Sequence, residues 1–228
     1  SENLLSSDYY FDAKNDDGGN GSDANPYKEF NSKLIKNDSN VHFDNGEYNL
    51  GNVKCNNVTF IGVSPYVTVL SNGNLEVSGS ISLQNIALKN ITLINNGNVI
   101  ASNVVMNLGA GNYDLGSIKS SSLTINGVSS SKTILTKGTI DATSDLTFNY
   151  LKVDGMSINN KGGVAATDSI FNFADSTYKL GTVNSYNLTI IGQSALKTIL
   201  NGGKITVSTL LTIKNIALNK IPISNYGN

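Results

Sequence analysis

Tyr48-Asn49-Leu50-Gly51 returns as Tyr113-Asp114-Leu115-Gly116 and again as Tyr178-Lys179-Leu180-Gly181, at the same offset each time. A repeat of fixed length constrains the architecture before any other feature is considered. Further columns keep that offset: Thr59, Thr124 and Thr189; Gly62, Gly127 and Gly192; Leu70, Leu135 and Leu200; Gly73, Gly138 and Gly203; Asn95, Asn160 and Asn225. No insertion or deletion breaks the register, so the copies occupy 43–107, 108–172 and 173–228, the last cut short.

A finer period lies inside each copy. Apolar residues flank a middle position, usually Thr or Ser, in Val58-Thr59-Phe60, Ile81-Ser82-Leu83, Val104-Val105-Met106, Leu123-Thr124-Ile125, Leu146-Thr147-Phe148, Ser169-Ile170-Phe171, Leu188-Thr189-Ile190 and Leu211-Thr212-Ile213. Two longer steps between triplets are followed by one shorter step, from Val104 to Leu123 and again from Ser169 to Leu188. A unit of about 22 residues is too short for a repeated helix pair and matches one coil of a β-solenoid. Strand alternation turns the first and third positions inward and the middle one outward. The triplets are therefore expected to stack as one column of about eight coils, with Val105 and Ile170 interrupting its hydroxyl stripe. Two further strands per coil are expected, as in Leu75-Glu76-Val77 before a triplet and Ile91-Thr92-Leu93 after it, the latter missing from the shorter coils. Asn-Gly pairs such as Asn72-Gly73 and Asn126-Gly127 fall between strands, where both residues tolerate a left-handed corner. Asn-Gly also signals hairpins, so an antiparallel sandwich is the competing fold. The uniform spacing of like strands favours a right-handed parallel β-helix.

Composition agrees. The 228 residues include 34 Asn, 27 Ser and 17 Thr, a bias toward turns and strands and away from helices. There are 16 Lys and no Arg, and the net charge is −1. Such a surface lacks the electrostatic term that drives nucleic-acid binding, so no nucleic-acid partner is expected. No apolar run reaches the ~20 residues that span a bilayer, so no membrane contact by this stretch is expected either. The chain opens at Ser-Glu-Asn and stops inside a repeat, which reads as a piece of a longer protein.

Solenoid ends need closing, and residues 1–42 read as an N-terminal cap. Asn25-Pro26 reads as a helix start, and Phe30 with Leu34 as an i, i+4 pair, predicting a short capping helix over Pro26–Lys36. Ahead of it, Asp12, Asp16, Asp17 and Asp23 sit in a Gly- and Asn-rich loop that invites a structural calcium ion. Lys14 stands where a calcium loop repeats an Asx, and no Glu follows at the usual distance, so a solvated loop is the competing expectation.

Phe11-Asp12-Ala13, this loop, and Gly21-Ser22-Asp23-Ala24-Asn25-Pro26-Tyr27-Lys28 ahead of repeated coils resemble the start of right-handed parallel β-helix domains of the pectate-lyase-like superfold. The Asn/Thr-rich copies without Arg are closest in style to the adhesin-like surface proteins of methanogenic archaea. The resemblance implies a secreted, extracellular protein of the cell surface, anchored by regions outside this stretch, that contacts a host or neighbouring cell or extracellular glycans.

The same superfold hosts polysaccharide lyases and glycoside hydrolases, so function has to be read from side chains. Without Arg, a lyase is disfavoured. His42, the only histidine, reads as a polar residue of the first strand rather than a hydrolase's catalyst. Asp145 and Asp168, each just ahead of a triplet, are the best candidate carboxylate pair, expected about one strand spacing apart. Cys55 has no activating base nearby in sequence, and its equivalents Ser120 and Ser185 describe a slot for a small side chain. Tyr66 and Tyr150 are candidate sugar-stacking residues. The sequence thus reads as a non-enzymatic surface adhesin module, with a polysaccharide-cleaving enzyme and a purely structural spacer as alternatives.

Overall fold

The chain is an all-β parallel β-solenoid, described over residues 8–228 in a computed structural model. Positions 1–7 of the expected cap lie outside the described residues. The chain divides into two compact units, one ending at Met106 and the other spanning Asn107–Asn228. Among the described residues no helix is long and apolar enough to cross a membrane.

In the first unit the strands Asp8–Phe11, Asn40–Phe43, Val58–Ile61 and the start of Ser80–Asn95 stack in parallel, pairing Phe11 with Phe43, Val41 with Phe60 and Phe60 with Leu83. Tyr48, Leu70 and Leu88 form a second face, and Val53, Leu75 and Leu93 a third. Inward positions alternate with outward ones, so Phe11, Leu50, Phe60, Leu70, Leu75 and Leu83 are all essentially inaccessible.

The predicted helix over Pro26–Lys36 does not form. Only Ser32–Leu34 makes a 3-10 turn, started by the Asn31 side chain accepting from the Lys33 amide. Backbone pairing overrides the local helix signal: the Tyr27 amide donates to the Tyr10 carbonyl and the Asp12 amide to the Tyr27 carbonyl, holding this stretch extended against the first strand. What remains is too short to offset the cost of nucleating a helix. The edge of Asp8–Phe11 is nevertheless covered, and Phe30 is its peg. Its ring lies 5.3 Å from Phe11, 5.6 Å from Phe43 and 6.3 Å from Phe60.

In the second unit three faces can be followed layer by layer. The first runs Tyr113, Leu135, Val153, Phe171, Ile190 and Ile213. The second runs through Ile118, Ile140 and Ile158, and then through Tyr178, Leu200 and Leu218. The third runs Leu123, Leu146, Val164, Val183, Ile205 and Ile223. There are about ten turns rather than eight.

The triplets do not make one column. Thr147 pairs with Thr124 on one side and Ala165 on the other, whereas Ile170 pairs with Lys152 and Thr189 on a different face. Turns on the first face are unequal: those from Leu135 to Val153 and from Val153 to Phe171 are the shortest, and they keep all three strands. Tyr113 lies on the first face and Tyr178, its equivalent in the next copy, lies on the second. The sequence repeat is therefore three turns and one third, and the copy beginning at Phe173 enters the coil one face later than the copy beginning at Leu108.

Corners take up the remaining residues. Five of the eight triplets are preceded by a residue with left-handed backbone: Asn57, Asn103, Ser122, Asp168 and Asn187 have φ of 55°, 54°, 89°, 46° and 77°. Asn and Asp adopt this region at least cost among residues with a side chain. Their amides also bridge successive turns, as from Asn103 to Asn85 at 3.0 Å and from Asn187 to Asp168 at 2.7 Å. Asn57, Asn72, Asn85, Asn90, Asn103, Asn187 and Asn215 all take this left-handed backbone, so corners account for part of the Asn abundance.

Candidate functional site

The copies share an outward loop with the pattern Gly-x-Ser-x-x-x-Thr: Gly62 to Thr68, Gly127 to Thr133 and Gly192 to Thr198. Its frame is built the same way each time. The carbonyls of Ser64, Ser129 and Ser194 each accept two amides from the end of the loop. Buried Thr68, Thr133 and Thr198 accept through Oγ1 from the amides of Val63, Val128 and Gln193 at 3.0, 2.9 and 3.1 Å. At Gly127 a Cβ would sit 2.4 Å from the Tyr150 carbonyl oxygen, so the frame excludes any side chain there. The tips differ: Val63, Pro65 and Tyr66 in the first loop, Val128, Ser130 and Ser131 in the second, Gln193, Ala195 and Leu196 in the third. Tyr66 and Leu196 are 87% and 88% exposed. A constant frame with a variable exposed tip suits loops that contact other molecules. In the second unit, the loop from Gly127 leaves the edge between the third and first faces, and the loop from Gly192 the edge between the first and second.

Of the residues singled out from sequence, Tyr66 tops the first loop, and Tyr150 is an exposed corner residue at φ 58°. Asp12 accepts from the Lys14 amide at 3.0 Å, Asp16 faces Lys28 at 3.6 Å, and Asp17 and Asp23 are exposed. Among the described residues no three His, Cys, Asp or Glu side chains gather as a cation site requires. His42 is a polar residue of the Asn40–Phe43 strand: its Nε2 is 3.1 Å from Asp8 and its ring stacks on Tyr10 at 4.3 Å.

Asp145 and Asp168 are not in successive equivalent positions, contrary to expectation. Leu146 pairs with Val164, so Asp145 falls beside Gly163. Asp168 lies further along, in the corner facing Asn187. Because the turn closes at Val164, well short of the next triplet at Ser169, the two carboxylates stand at different corners.

Cys55 fills a buried slot, and burial pushes its thiol up to about 11. Burial likewise pushes Tyr48 up to about 12, while its hydroxyl accepts from the Ala13 amide at 2.9 Å. Both groups keep in the folded state a proton that the unfolded chain surrenders at lower pH. Stability is therefore complete below pH ~9 and falls as pH rises through 9 to 12. Urea melts over that range are expected to show the decline, with a shallower slope for Cys55→Ala. Iodoacetamide at pH 8 should leave Cys55 unmodified until the protein unfolds.

The equivalent slots differ in polar satisfaction. Ser185 Oγ donates to the Leu210 carbonyl, but buried Ser120 Oγ has no partner among the described residues. Ser120→Ala is expected to raise stability by about 1 kcal/mol and Ser185→Ala to lower it by a similar amount, measured by urea denaturation.

A groove of about 670 Å³ lies between the Lys28–Ser32 stretch and the strand containing Glu47–Gly51. A second, of about 470 Å³, crosses Thr139–Asp141, Ser157–Asn159 and Ser176–Lys179 on the second face of the second unit. Both are lined by polar and apolar groups in about equal measure. These features define the class: a parallel β-solenoid assembled from a long internal repeat, displaying framed loops and polar corners. No protein-family profile, curated protein or solved structure matches the chain.

The loops had a signal in sequence. Gly62, Gly127 and Gly192 keep the repeat offset, and Thr68, Thr133 and Thr198 keep it too. Position within a turn, which makes them one device, required the fold.

Proposed function

We propose that the chain is a non-enzymatic cell-surface adhesin module, a stalk or binding rod that contacts other cells or extracellular glycans. On this reading it acts outside the cell. The observation that carries this reading is the constant-frame, variable-tip loop, which recurs once per copy and, within the second unit, moves from one solenoid edge to the next. Several weak contacts from one chain give avidity without any single deep site. A glycoside hydrolase needs two carboxyl groups at a set separation, and the candidate pair Asp145 and Asp168 is dispersed by the turn lengths.

The test is a panel of glycans and whole cells, probed with the purified chain while reducing ends and unsaturated products are assayed, with and without calcium. Retained binding without cleavage is expected, weakened by Tyr66→Ala or Tyr150→Ala. Release of products contradicts the reading, and binding to nothing on the panel leaves the structural spacer in its place.

A further inference from the structure

Three exposed tyrosines of the second unit share one edge. At the junction of its third and first faces, Asn126, Asn149, Thr167 and Tyr186 align through successive pairings. Ser208 follows, its amide bonded to the Ser185 carbonyl at 2.9 Å, and then Tyr226, its amide bonded to the Val207 carbonyl at 2.8 Å. Tyr150 directly follows Asn149. Tyr150, Tyr186 and Tyr226 therefore occupy alternate turns of the same edge, and they are 46%, 43% and 80% exposed. Neighbouring strands lie about 4.8 Å apart, so such tyrosines recur about every 10 Å along the edge.

That interval matches one disaccharide of an extended β-1,4-linked glucan, in which alternate rings turn the same face toward a support. Between the tyrosines the edge carries Thr167 and Ser208, whose hydroxyl groups suit sugar hydroxyls. The Asp168 carboxylate in the same corner, held by Asn187 at 2.7 Å, disfavours uronates and other acidic sugars. We infer that this edge is a linear binding strip for a neutral β-1,4-linked glucan, with Tyr150, Tyr186 and Tyr226 as successive stacking platforms. The inference rests on the glycan-contacting reading above and gives it a place and a ligand class.

Calorimetry with cello-oligosaccharides tests it. Affinity is expected to climb from cellobiose to cellohexaose as the second and third platforms become reachable. Tyr186→Ala should weaken cellohexaose about tenfold, the loss of one good contact, with Tyr186→Phe near wild type. Maltohexaose, whose α-1,4 links curl the chain, should bind far more weakly, and so should an oligogalacturonate. The side chains are exposed, so an unchanged melting temperature shows that the variants keep the fold. Cellohexaose binding insensitive to Tyr186→Ala, or matched by maltohexaose, overturns the strip. If cellohexaose does not bind while other glycans or cells bind wild type and are weakened by Tyr66→Ala, the strip falls and the adhesin reading stands. If none binds even the wild type, both fall.

Discussion

Phe148→Ala is expected to lower the stability of the fold by about 3–5 kcal/mol. Phe148 has no accessible surface, lies between Ile125 and Ala166 in its column, and packs edge-on against Phe171 with ring centroids 5.4 Å apart. Parallel turns hold the backbone at a fixed spacing through their hydrogen bonds, so the layers above and below cannot collapse into the vacated space. The cavity penalty is then felt nearly in full. Ala166 opposite Phe148 makes the site still less forgiving, since a second alanine there leaves two small residues face to face. Urea denaturation followed by far-UV circular dichroism measures the change. A loss below about 1 kcal/mol would mean that Phe148 is not in the core.

Gly203→Val is expected to be as damaging, by about 3–5 kcal/mol, for a backbone reason. Gly203 has φ +87°, and a Cβ there would lie 2.0 Å from the Gly181 carbonyl oxygen of the neighbouring turn. A β-branched residue would have both to enter the left-handed region and to push apart two turns joined by backbone pairing. Its neighbour is a built-in control. Gly202 also has positive φ, +73°, but a Cβ there meets nothing within 4 Å. Gly202→Val should therefore cost only the conformational part, about 1–2 kcal/mol. The gap between the two variants isolates turn stacking from backbone preference.

How much of this is legible in sequence depends on the range of the interaction. Which side chains face inward is readable, because alternation is local: Leu146 and Phe148 point in and Thr147 points out, as the triplet pattern requires. The repeat length is readable too. What stacks on what is not. The turn after Leu146-Thr147-Phe148 places Val164-Ala165-Ala166 against it, a segment without the Thr mark, because that turn closes before the next triplet begins at Ser169. Turn length is set by how many residues each corner absorbs, and a single left-handed residue such as Asp168 closes a corner that a longer loop closes elsewhere. The same dependence on corners separates Asp145 from Asp168 and hides the common edge of Tyr150, Tyr186 and Tyr226. The capping helix fails for a related reason: Asn25 and Pro26 carry a genuine local signal, but Tyr27 is recruited into backbone pairing with Tyr10 and Asp12.

A repeat of three turns and one third has a functional corollary. With three turns, every copy would display its loop on the same edge and the molecule would bind along one side. The additional third moves the loop to the next edge, as Ser129–Lys132 and Ser194–Lys197 show within the second unit. On the proposed adhesin reading, the loops would then meet partners in more than one direction.

Engineered cross-links test this register most directly. In a Cys55→Ser background, the outward pair Thr147→Cys and Ala165→Cys sits opposite on neighbouring parallel strands, about 4.8 Å apart and within disulfide range. Thr147→Cys with Ile170→Cys is the pair that a single column of triplets would bring together. Mild oxidation followed by mass spectrometry should find the 147–165 disulfide formed and the 147–170 thiols free; the reverse pattern would contradict the three-and-one-third-turn repeat.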